Sequence, residues 1–383
     1  MPGTHALLSA SAAHRWLHCT GSPRFEQQFE EQETSYASEG TFAHEVAEIK
    51  LGRALFKAGY WKQAPGKKLN RKSEFWGPAL EDTIDGYVCE VMEQLAGLRD
   101  PLVLLEQRLD FSRWVPGGFG TGDVVILSEG VLDIIDLKYG KGVPVQAEEN
   151  PQLMLYGLGA LEAFDYLYDI NTVRMQIKQP RLDSSSTYTV SPELLFSWAE
   201  TEVAPRAREA IQGEGRMEAG EWCRFCRARS VCRARAEANL QLAKFEFAPG
   251  PSLRDEEIGE ILSQAGELRR WAEDIENYAL KEAETGKRWA GWKLVAGRSV
   301  RKYKDEKQAA QLLLASGYSE EDIFKKELLG ITAMEKVLGK KKFQELLDGE
   351  IVKPPGKPTL VPESDKRPEI GGIAYAIQDF KEE

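Results

Sequence analysis

The chain has 383 residues, a net charge of −11, and 42% hydrophobic residues. The hydrophobic content is that of an ordinary globular protein, long enough for one large or two modest domains. A membrane-spanning protein is excluded because the chain has no apolar run of about 18 residues. The acidic balance argues against a general nucleic-acid coat protein. The N-terminal residues lack a charged region followed by an apolar stretch, so we expect a soluble, intracellular protein.

The hydrophobic pattern predicts an α/β protein in the N-terminal part of the chain. Helices and strands alternate there, which is typical of a central mixed sheet of four or five strands flanked by helices. The predicted helices are 11–18, 40–58, 76–98 and 191–212, and the predicted strands are 102–113, 120–127, 131–138 and 172–178.

The predicted helix at 40–58 carries two candidate metal ligands. Thr41 is predicted to cap its first turn. His44 and Glu48 are four residues apart and therefore lie on one helical face. An imidazole and a carboxylate on one face can complete the shell of a metal ion, and a structural histidine is the alternative.

Candidate site residues lie on three consecutive predicted strands, and the strand with Asp136 and Lys138 is otherwise mostly apolar. Asp136 and Lys138 lie on the same strand face, because side chains alternate along a strand, and Asp123 lies on the preceding strand. Hydrolysis of a phosphodiester requires carboxylates that hold a divalent cation and a positive group that stabilises the developing charge. Glu106, on the strand before, is an additional candidate ligand together with Glu48. A surface hairpin with solvated charges is the alternative.

A capped helix is predicted directly after these strands. Asn150 is the predicted N-cap, and Pro151 occupies the first helical position, where its missing N–H costs nothing. Gln152 and Tyr156 lie on one face of this helix. Both side chains can donate hydrogen bonds to a phosphate or to an attacking water.

Together these motifs resemble the PD-(D/E)XK nuclease superfamily in its RecB-like and AddB-like branch. The resemblance rests on Gly40-Thr41-x-x-His44-x-x-x-Glu48, Gly122-Asp123, Asp136-Leu137-Lys138 and Gln152-x-x-x-Tyr156. It implies a restriction-endonuclease-like fold with Mg²⁺ or Mn²⁺ bound by His44, Asp123, Asp136 and the carbonyl of Leu137. The implied catalytic residues are Asp123, Asp136, Lys138, Gln152 and Tyr156. This sequence departs from the pattern in having Asp136 where many relatives have Glu, and no Pro before Asp123.

Four of the five cysteines form a second candidate site. Cys223, Cys226 and Cys232 are close in sequence, and Cys19 lies far upstream. Thiolates in fours bind zinc or an iron–sulfur cluster. One cysteine before the nuclease motifs and three after them resembles the iron–sulfur RecB-like nucleases, which implies a [4Fe-4S] cluster, with Zn²⁺ as the alternative. Cys89 is predicted to be a packed core residue.

Composition along the chain predicts four segments. They are a nuclease domain at 1–245, a linker at 246–252, a mainly helical accessory region at 253–347 and a Pro-rich extended tail at 348–383. The whole chain resembles phage and prophage proteins that combine a RecB-like nuclease with this C-terminal region. That resemblance implies a protein of the bacterial cytoplasm, encoded by a phage or prophage.

These patterns predict a metal-dependent deoxyribonuclease, and more narrowly an exonuclease acting in phage recombination, repair or DNA processing. The alternative is a recombination accessory protein on a nuclease scaffold, whose C-terminal helices recruit a recombinase, single-strand-binding protein or helicase. A structural zinc or iron–sulfur protein is disfavoured by the intact set of charged residues. Because the net charge opposes DNA binding, contact with DNA would depend on basic segments, which we locate at 224–235, 298–304 and 340–342.

Overall fold

A computed structural model gives the coordinates of the chain. It describes residues 6–30, 35–142, 144–241, 254–293, 295, 305–316, 319–324, 334, 338 and 340–347. The chain divides into two units, Met1–Lys281 and Glu282–Glu383. The predicted linker at 246–252 and the predicted tail at 348–383 lie outside the described residues, so both stay predictions.

A five-stranded mixed sheet forms the centre of the first unit, with neighbouring strands following chain order. The third and fourth strands pair in parallel, and the other three pairs are antiparallel. This sheet confirms the predicted α/β fold. The strands are β1 (Leu102–Asp110), β2 (Phe119–Ser128), β3 (Val131–Leu137), β4 (Thr172–Gln179) and β5 (Ser184–Val190).

Helices flank the sheet and make up the regular structure described after residue 254. A π-helical turn at Ala199–Val203 joins two short helices, so the predicted helix at 191–212 is continuous. The helices are α1 (Ala13–His18), α2 (Ser22–Glu26), α3 (Ser35–Ala58), α4 (Pro78–Ala96), α5 (Pro151–Tyr168), α6 (Pro192–Trp198), α7 (Ala204–Gln212), α8 (Arg233–Leu240), α9 (Asp255–Glu284), α10 (Glu306–Ala315), α11 (Glu320–Ile323) and α12 (Lys340–Leu347).

Strand β3 separates two hydrophobic cores. Leu132 and Ile134 belong to the core that includes α5. Ile135 and Leu137 belong to the core formed with α3 and α4. Because side chains alternate along a strand, each core receives every second residue of β3. The predicted placement of Leu137 in the layer opposite Asp136 follows from this alternation.

Helix α3 begins earlier than the sequence pattern predicts. It starts at Ser35 rather than at residue 40. Thr41 is therefore an interior residue, and its hydroxyl donates to the carbonyl of Ala37, 3.1 Å away. A threonine that bonds the carbonyl of the preceding turn is compatible with a continuing helix. The predicted cap is wrong, but His44 and Glu48 still lie on one helix.

One further prediction is wrong, and one strand of the structure was not predicted. Cys89 is exposed on α4 rather than packed in the core. The buried positions of α4 follow a helical repeat that excludes residue 89; they are Leu80, Ile84, Tyr87, Val91 and Leu95. Strand β5 was not predicted, because its serine-rich sequence lacks the large apolar residues of a typical strand. Its side chains alternate between half-buried and exposed as far as Thr189.

Candidate metal centre

Three potential metal ligands meet at the sheet beside α3. Nδ1 of His44 lies 3.0 Å from Oδ1 of Asp123. One ligand atom from each of His44, Asp123 and Glu106 lies within 4.8 Å of the other two. In the part of the chain that the structure describes, this is the only group of three such residues with that spacing. A nitrogen and two carboxylates form a donor set that suits Mn²⁺ and related divalent ions.

The backbone at Glu106 directs this carboxylate toward Asp123. Leu105 pairs with Val124 and Gln107 with Gly122, so Glu106 stands across from Asp123 between two paired positions. The φ angle of Glu106 is 47°, in the left-handed region that favours glycine. A non-glycine residue held in that region inside a strand costs about 1–3 kcal/mol, and such strain concentrates at functional sites.

The charges of the triad perturb one another. Burial lowers the pKa of His44, but the Asp123 carboxylate and its neighbours outweigh burial and raise the pKa to about 9. Burial and the Asp123 carboxylate raise the pKa of Glu106 to about 7. Both shifts have the same origin, an excess of negative charge in a partly desolvated place. A divalent cation would neutralise that excess.

A small cavity lies against the triad. Its volume is about 10 Å³, close to the space of one water molecule or one ion. Leu137 and the fully buried Tyr87 are among its lining residues. Burial, together with Asp123 and other carboxylates, raises the pKa of Tyr87 well above its usual value. Tyr87 was missed as a site residue, because in sequence it is one apolar-face position of α4 among several.

Asp136 and Lys138 take part in a second polar network on the α5 side of the sheet. Nζ of Lys138 lies 2.7 Å from Oδ2 of Asp136 and donates to Oε1 of Gln152 over 2.9 Å. Nε2 of Gln152 donates to Oδ1 of Asp136 and to the hydroxyl oxygen of Tyr156, each over 3.1 Å. The predicted catalytic residues from β3 and α5 are thus in mutual contact.

Sequence signals at the start of α5 explain this contact. The Asn150 side chain accepts hydrogen bonds from Gln152 N–H and Leu153 N–H, which confirms the predicted cap. The cap fixes where α5 begins and hence which residues face β3. A Cβ added to Gly120 would lie 2.5 Å from the Tyr156 ring, so β2 can approach α5 this closely only with glycine there.

Asp136 is buried, and both of its oxygens contact the α5-side network. It is 3% exposed. Its Oδ1 atom accepts from Nε2 of Gln152, and its Oδ2 atom forms an ion pair with Nζ of Lys138 over 2.7 Å, without hydrogen-bond angles. The ion pair offsets the cost of burying this carboxylate. Asp136 lies outside the triad, and its metal role stays a prediction.

The remaining predicted site residues lie around the triad. Leu137 donates its backbone N–H to Oδ2 of Asp123 over 2.7 Å, which orients that carboxylate. Glu48 lines the cavity, but its two oxygens accept hydrogen bonds from Nζ of Lys67 over 2.9 and 2.6 Å. Glu48 therefore stands beside the triad as the partner of a lysine. Glu106, predicted as an additional ligand, is one of the three residues of the triad.

The four predicted cluster cysteines are buried and form no disulfide. They are Cys19, Cys223, Cys226 and Cys232. Burial raises the pKa of the Cys226 thiol to about 12 and also raises the pKa of the Cys19 and Cys223 thiols. Smaller contributions come from other thiols of the set, so each of the four interacts electrostatically with at least one of the others. A thiolate in such a buried place needs a cation beside it.

Hydrogen bonds between the α1–α2 region and residues 218–227 hold this cysteine site. Nη1 of Arg15 donates to the carbonyl of Phe225, and Nε of Arg15 donates to Glu26. Glu26 in turn accepts from the backbone N–H of Arg227 over 2.7 Å. Glu218 N–H donates to the sulfur of Cys19. These bonds join the α1–α2 region to a segment about 200 residues later.

Part of the predicted basic segment at 224–235 serves packing. Arg235 is 1% exposed and forms ion pairs with Glu267 and Asp274 of α9. Arg229 pairs with Asp274 as well. The guanidinium of Arg235 also donates to the carbonyl of Arg229, inside the loop between Cys226 and Cys232. These two arginines therefore fasten α9 to the cysteine site, and their charges are already compensated.

Comparison with known proteins identifies the family. A family model described as "Protein of unknown function (DUF2800)" matches residues 5–368. The chain belongs to this DUF2800 family. The solved structure described as "Crystal structure of SSO0001" is similar at 15% identity, over 58% of this chain and 95% of that chain, with a TM-score of 0.23. Within the described ranges, every helix of this DUF2800 protein is too short or too polar to cross a membrane.

Proposed function

We propose that this DUF2800 protein is a metal-dependent deoxyribonuclease that hydrolyses phosphodiester bonds in DNA. The observation that carries the proposal is the triad of His44, Glu106 and Asp123 beside the ion pair of the buried Asp136 and the half-buried Lys138. Carboxylates for a divalent ion and a lysine for transition-state charge are the components that this reaction requires. The resemblance to PD-(D/E)XK nucleases supports the same reaction.

The residues present fit a divalent ion of the Mg²⁺ or Mn²⁺ type. Asp123, Glu106 and His44 would hold it, with Asp136 as the further predicted ligand. A bound ion supplies charge neutralisation at the scissile phosphate and a lower pKa of the attacking water. The imidazole nitrogen in the donor set favours Mn²⁺ over Mg²⁺, which prefers oxygen ligands.

The α5-side network positions the groups that act on the phosphate. Burial lowers the pKa of Lys138, but Asp136 outweighs burial and the net pKa is raised, so the amine is protonated at neutral pH. A protonated Lys138 stabilises negative charge that develops on the phosphate. Gln152 holds Lys138 and Asp136 in one arrangement, and the Tyr156 hydroxyl oxygen accepts a hydrogen bond from Gln152.

We also propose that the four cysteines hold a [4Fe-4S] cluster. The four are buried and form no disulfide, as expected for ligands of one shared group. The resemblance to the iron–sulfur RecB-like nucleases favours the cluster over zinc. The cluster would join the two ends of the predicted nuclease domain and need not do redox chemistry.

The activity is tested with end-labelled linear DNA and with closed circular DNA, each in the presence of Mn²⁺, Mg²⁺ or EDTA. We propose exonuclease action, so the linear DNA should be degraded from its ends with Mn²⁺ and the circle should stay intact. Anaerobic purification with measurement of colour and iron content tests the cluster. A colourless, zinc-loaded protein would overturn the cluster and leave the nuclease proposal standing.

Other outcomes bear on the remaining predictions. DNA binding without cleavage under any metal would favour the accessory protein, in which the C-terminal helices recruit a recombinase, single-strand-binding protein or helicase. Action in the cytoplasm of a bacterial host and a phage or prophage origin rest on the resemblance alone. Both are therefore parts of this proposal for which the site geometry supplies no support.

A further inference from the structure

A basic loop connects α3 to α4. Between residues 61 and 77 it contains four lysines and one arginine but a single acidic residue, Glu74. The basic residues are all exposed; they are Lys62, Lys67, Lys68, Arg71 and Lys72. In a chain with a net charge of −11 this local excess of positive charge stands out. It is distinct from the predicted basic segment at 298–304, which lies outside the described residues.

Aromatic residues anchor both ends of this loop. Nε1 of Trp61 donates to the carbonyl of Val103 in β1 over 3.0 Å. At the other end, the rings of Phe75 and Trp76 pack against the ring of Phe42 in α3, with centroids 6.3 and 6.4 Å away. The loop has no helix or strand, but these contacts fix its ends to the elements that carry the triad.

The middle of the loop is held beside the metal centre. Lys67 bonds both oxygens of Glu48, which lines the cavity next to the triad. The charge of Glu106 contributes to the raised pKa of Lys67, after the hydrogen bond to Glu48 and the opposing effect of burial. Lys67 therefore lies near a triad ligand. The basic surface of the loop is thus adjacent to the metal centre.

Three lysines of the loop are available to a partner. Lys62, Lys68 and Lys72 form no ion pair with any residue in the described part of the chain. Arg71 is partly engaged, because it lies over the Trp76 ring and 3.9 Å from Glu81. Several exposed cations at one edge of an acidic protein match a chain of regularly spaced negative charges.

We infer that this loop binds the sugar–phosphate backbone of DNA and leads it to the triad. The inference rests on the proposed function for its choice of DNA. It adds that the positive surface used for binding is the α3–α4 loop, and that the segment 224–235 contributes less. Contacts of lysine with phosphates carry no sequence information, so binding through this loop should be insensitive to sequence and weaken with salt.

The test measures binding without cleavage. A variant with Lys62→Gln, Lys68→Gln and Lys72→Gln is compared with wild type in EDTA, using fluorescence anisotropy of labelled single- and double-stranded oligonucleotides of two sequences. We expect the dissociation constant at about 100 mM salt to rise at least about tenfold for both sequences. The slope of the logarithm of the association constant against the logarithm of the salt concentration should become less negative by about 2–3. Each lost contact to duplex DNA accounts for about 0.9 of this change.

The matched control removes three exposed lysines elsewhere, as Lys57→Gln, Lys281→Gln and Lys293→Gln. It has the same change in net charge and should bind DNA within about twofold of wild type. Equal loss of binding in both variants would overturn the inference, since it would show an effect of net charge alone. Unchanged binding in the loop variant would also overturn it.

Cleavage assays separate this inference from the proposed function. Normal cleavage by wild type together with unchanged binding by the loop variant would refute the loop and leave the nuclease. Binding that depends on the loop, in a protein that cleaves nothing with Mn²⁺ or Mg²⁺, would refute the nuclease and leave the loop. Thermal unfolding of all three proteins confirms that the lysine substitutions, which lie on the surface, leave the fold intact.

Discussion

The two candidate metal sites of this protein are built in opposite ways. The triad of His44, Glu106 and Asp123 sits on a long helix and on two paired strands of the sheet. The cysteine site sits on short helices, turns and loops, where Cys223 belongs to a single 3₁₀ segment. The first site is thus supported by regular backbone hydrogen bonds. The second is supported by a few bonds between distant segments.

This difference indicates what each site contributes. A site on rigid elements keeps its geometry without its ion, so removing a ligand of that ion should stop the reaction and leave the fold intact. A site that joins loops far apart in sequence gains order from the group it binds, so removing a ligand of that group should destabilise the fold. The triad is therefore expected to be catalytic and the cysteine site structural.

The largest expected effect is on cleavage by Asp123→Asn. Asp123 contacts His44 and the Leu137 N–H, and an amide in its place holds a divalent ion poorly. We expect the rate of DNA cleavage with Mn²⁺ to fall at least about 10³-fold, with an unchanged circular dichroism spectrum. Glu93→Gln, an exposed carboxylate on α4, is the control and should cleave like wild type. A strongly unfolded Asp123→Asn protein would contradict the assignment of a purely catalytic site.

The second prediction concerns the fold. Cys226→Ser should lose its bound iron and lower the free energy of unfolding by about 3–5 kcal/mol, the scale of a cross-link that closes a long loop. Iron analysis and denaturant unfolding measure both effects. Cys89→Ser changes an exposed cysteine of α4 and should leave both quantities as in wild type. Equal stability of the two variants would remove the distinction between the sites.

A smaller effect is expected at Gln152, which touches Asp136, Lys138 and Tyr156 without being a predicted metal ligand. Removing a residue that orients ligands and charged groups costs about 10–100-fold in activity. We expect Gln152→Ala to lower kcat by this factor with little change in KM. Gln212→Ala, at the exposed end of α7, is the control. A change in KM alone would assign Gln152 to DNA binding instead.

The last prediction concerns the pH dependence of Mn²⁺ affinity, which should change by about tenfold for each pH unit. A proton on His44, whose pKa is about 9, competes with the ion. Affinity should therefore rise about tenfold per pH unit from about 7 to 9 and level off above. Below about 7, protonation of Glu106 should steepen the dependence. Calorimetry under nitrogen measures the affinities.

His44→Gln supplies the comparison for this pH dependence. Without the imidazole, the affinity for Mn²⁺ should change less between about pH 8 and 9, because the His44 proton no longer competes. The remaining pH dependence should come from Glu106, whose pKa the charge of His44 lowers in wild type. Its preference for Mn²⁺ over Mg²⁺ should also decrease. A wild-type affinity that is flat over this range would exclude His44 as a ligand.

Much of the sheet could be predicted from local pattern. Strands β2 and β3 contain apolar runs, β4 alternates polar and apolar residues, and the limits of all three lie close to the predicted ones. The start of α5 was predictable because Asn150 and Pro151 are local signals. Thr41 and Cys89 misled for the opposite reason. Whether a threonine starts a helix, and whether a cysteine is buried, depends on neighbours that are distant in sequence.

The candidate site shows the same division. Charged residues on apolar strands indicated Asp123, Asp136 and Lys138, because such residues are unfavourable there unless they have a function. Lys67 gave no comparable signal, since a lysine in a polar loop is ordinary. Tyr87 gave none either, because an aromatic residue on the buried face of a helix usually serves packing.

By itself the sequence determined the α/β order of elements and indicated the candidate residues for the chemistry and the four candidate cysteines of one shared site. These depend on side-chain type and on periodicity, which are local properties. Only the tertiary structure decided that Glu106 joins His44 and Asp123, that Asp136 lies outside that triad in an ion pair with Lys138, and that the α3–α4 loop borders the site. The physical reason is that distances between ligands depend on strand register, backbone conformation and helix packing, which no local pattern specifies.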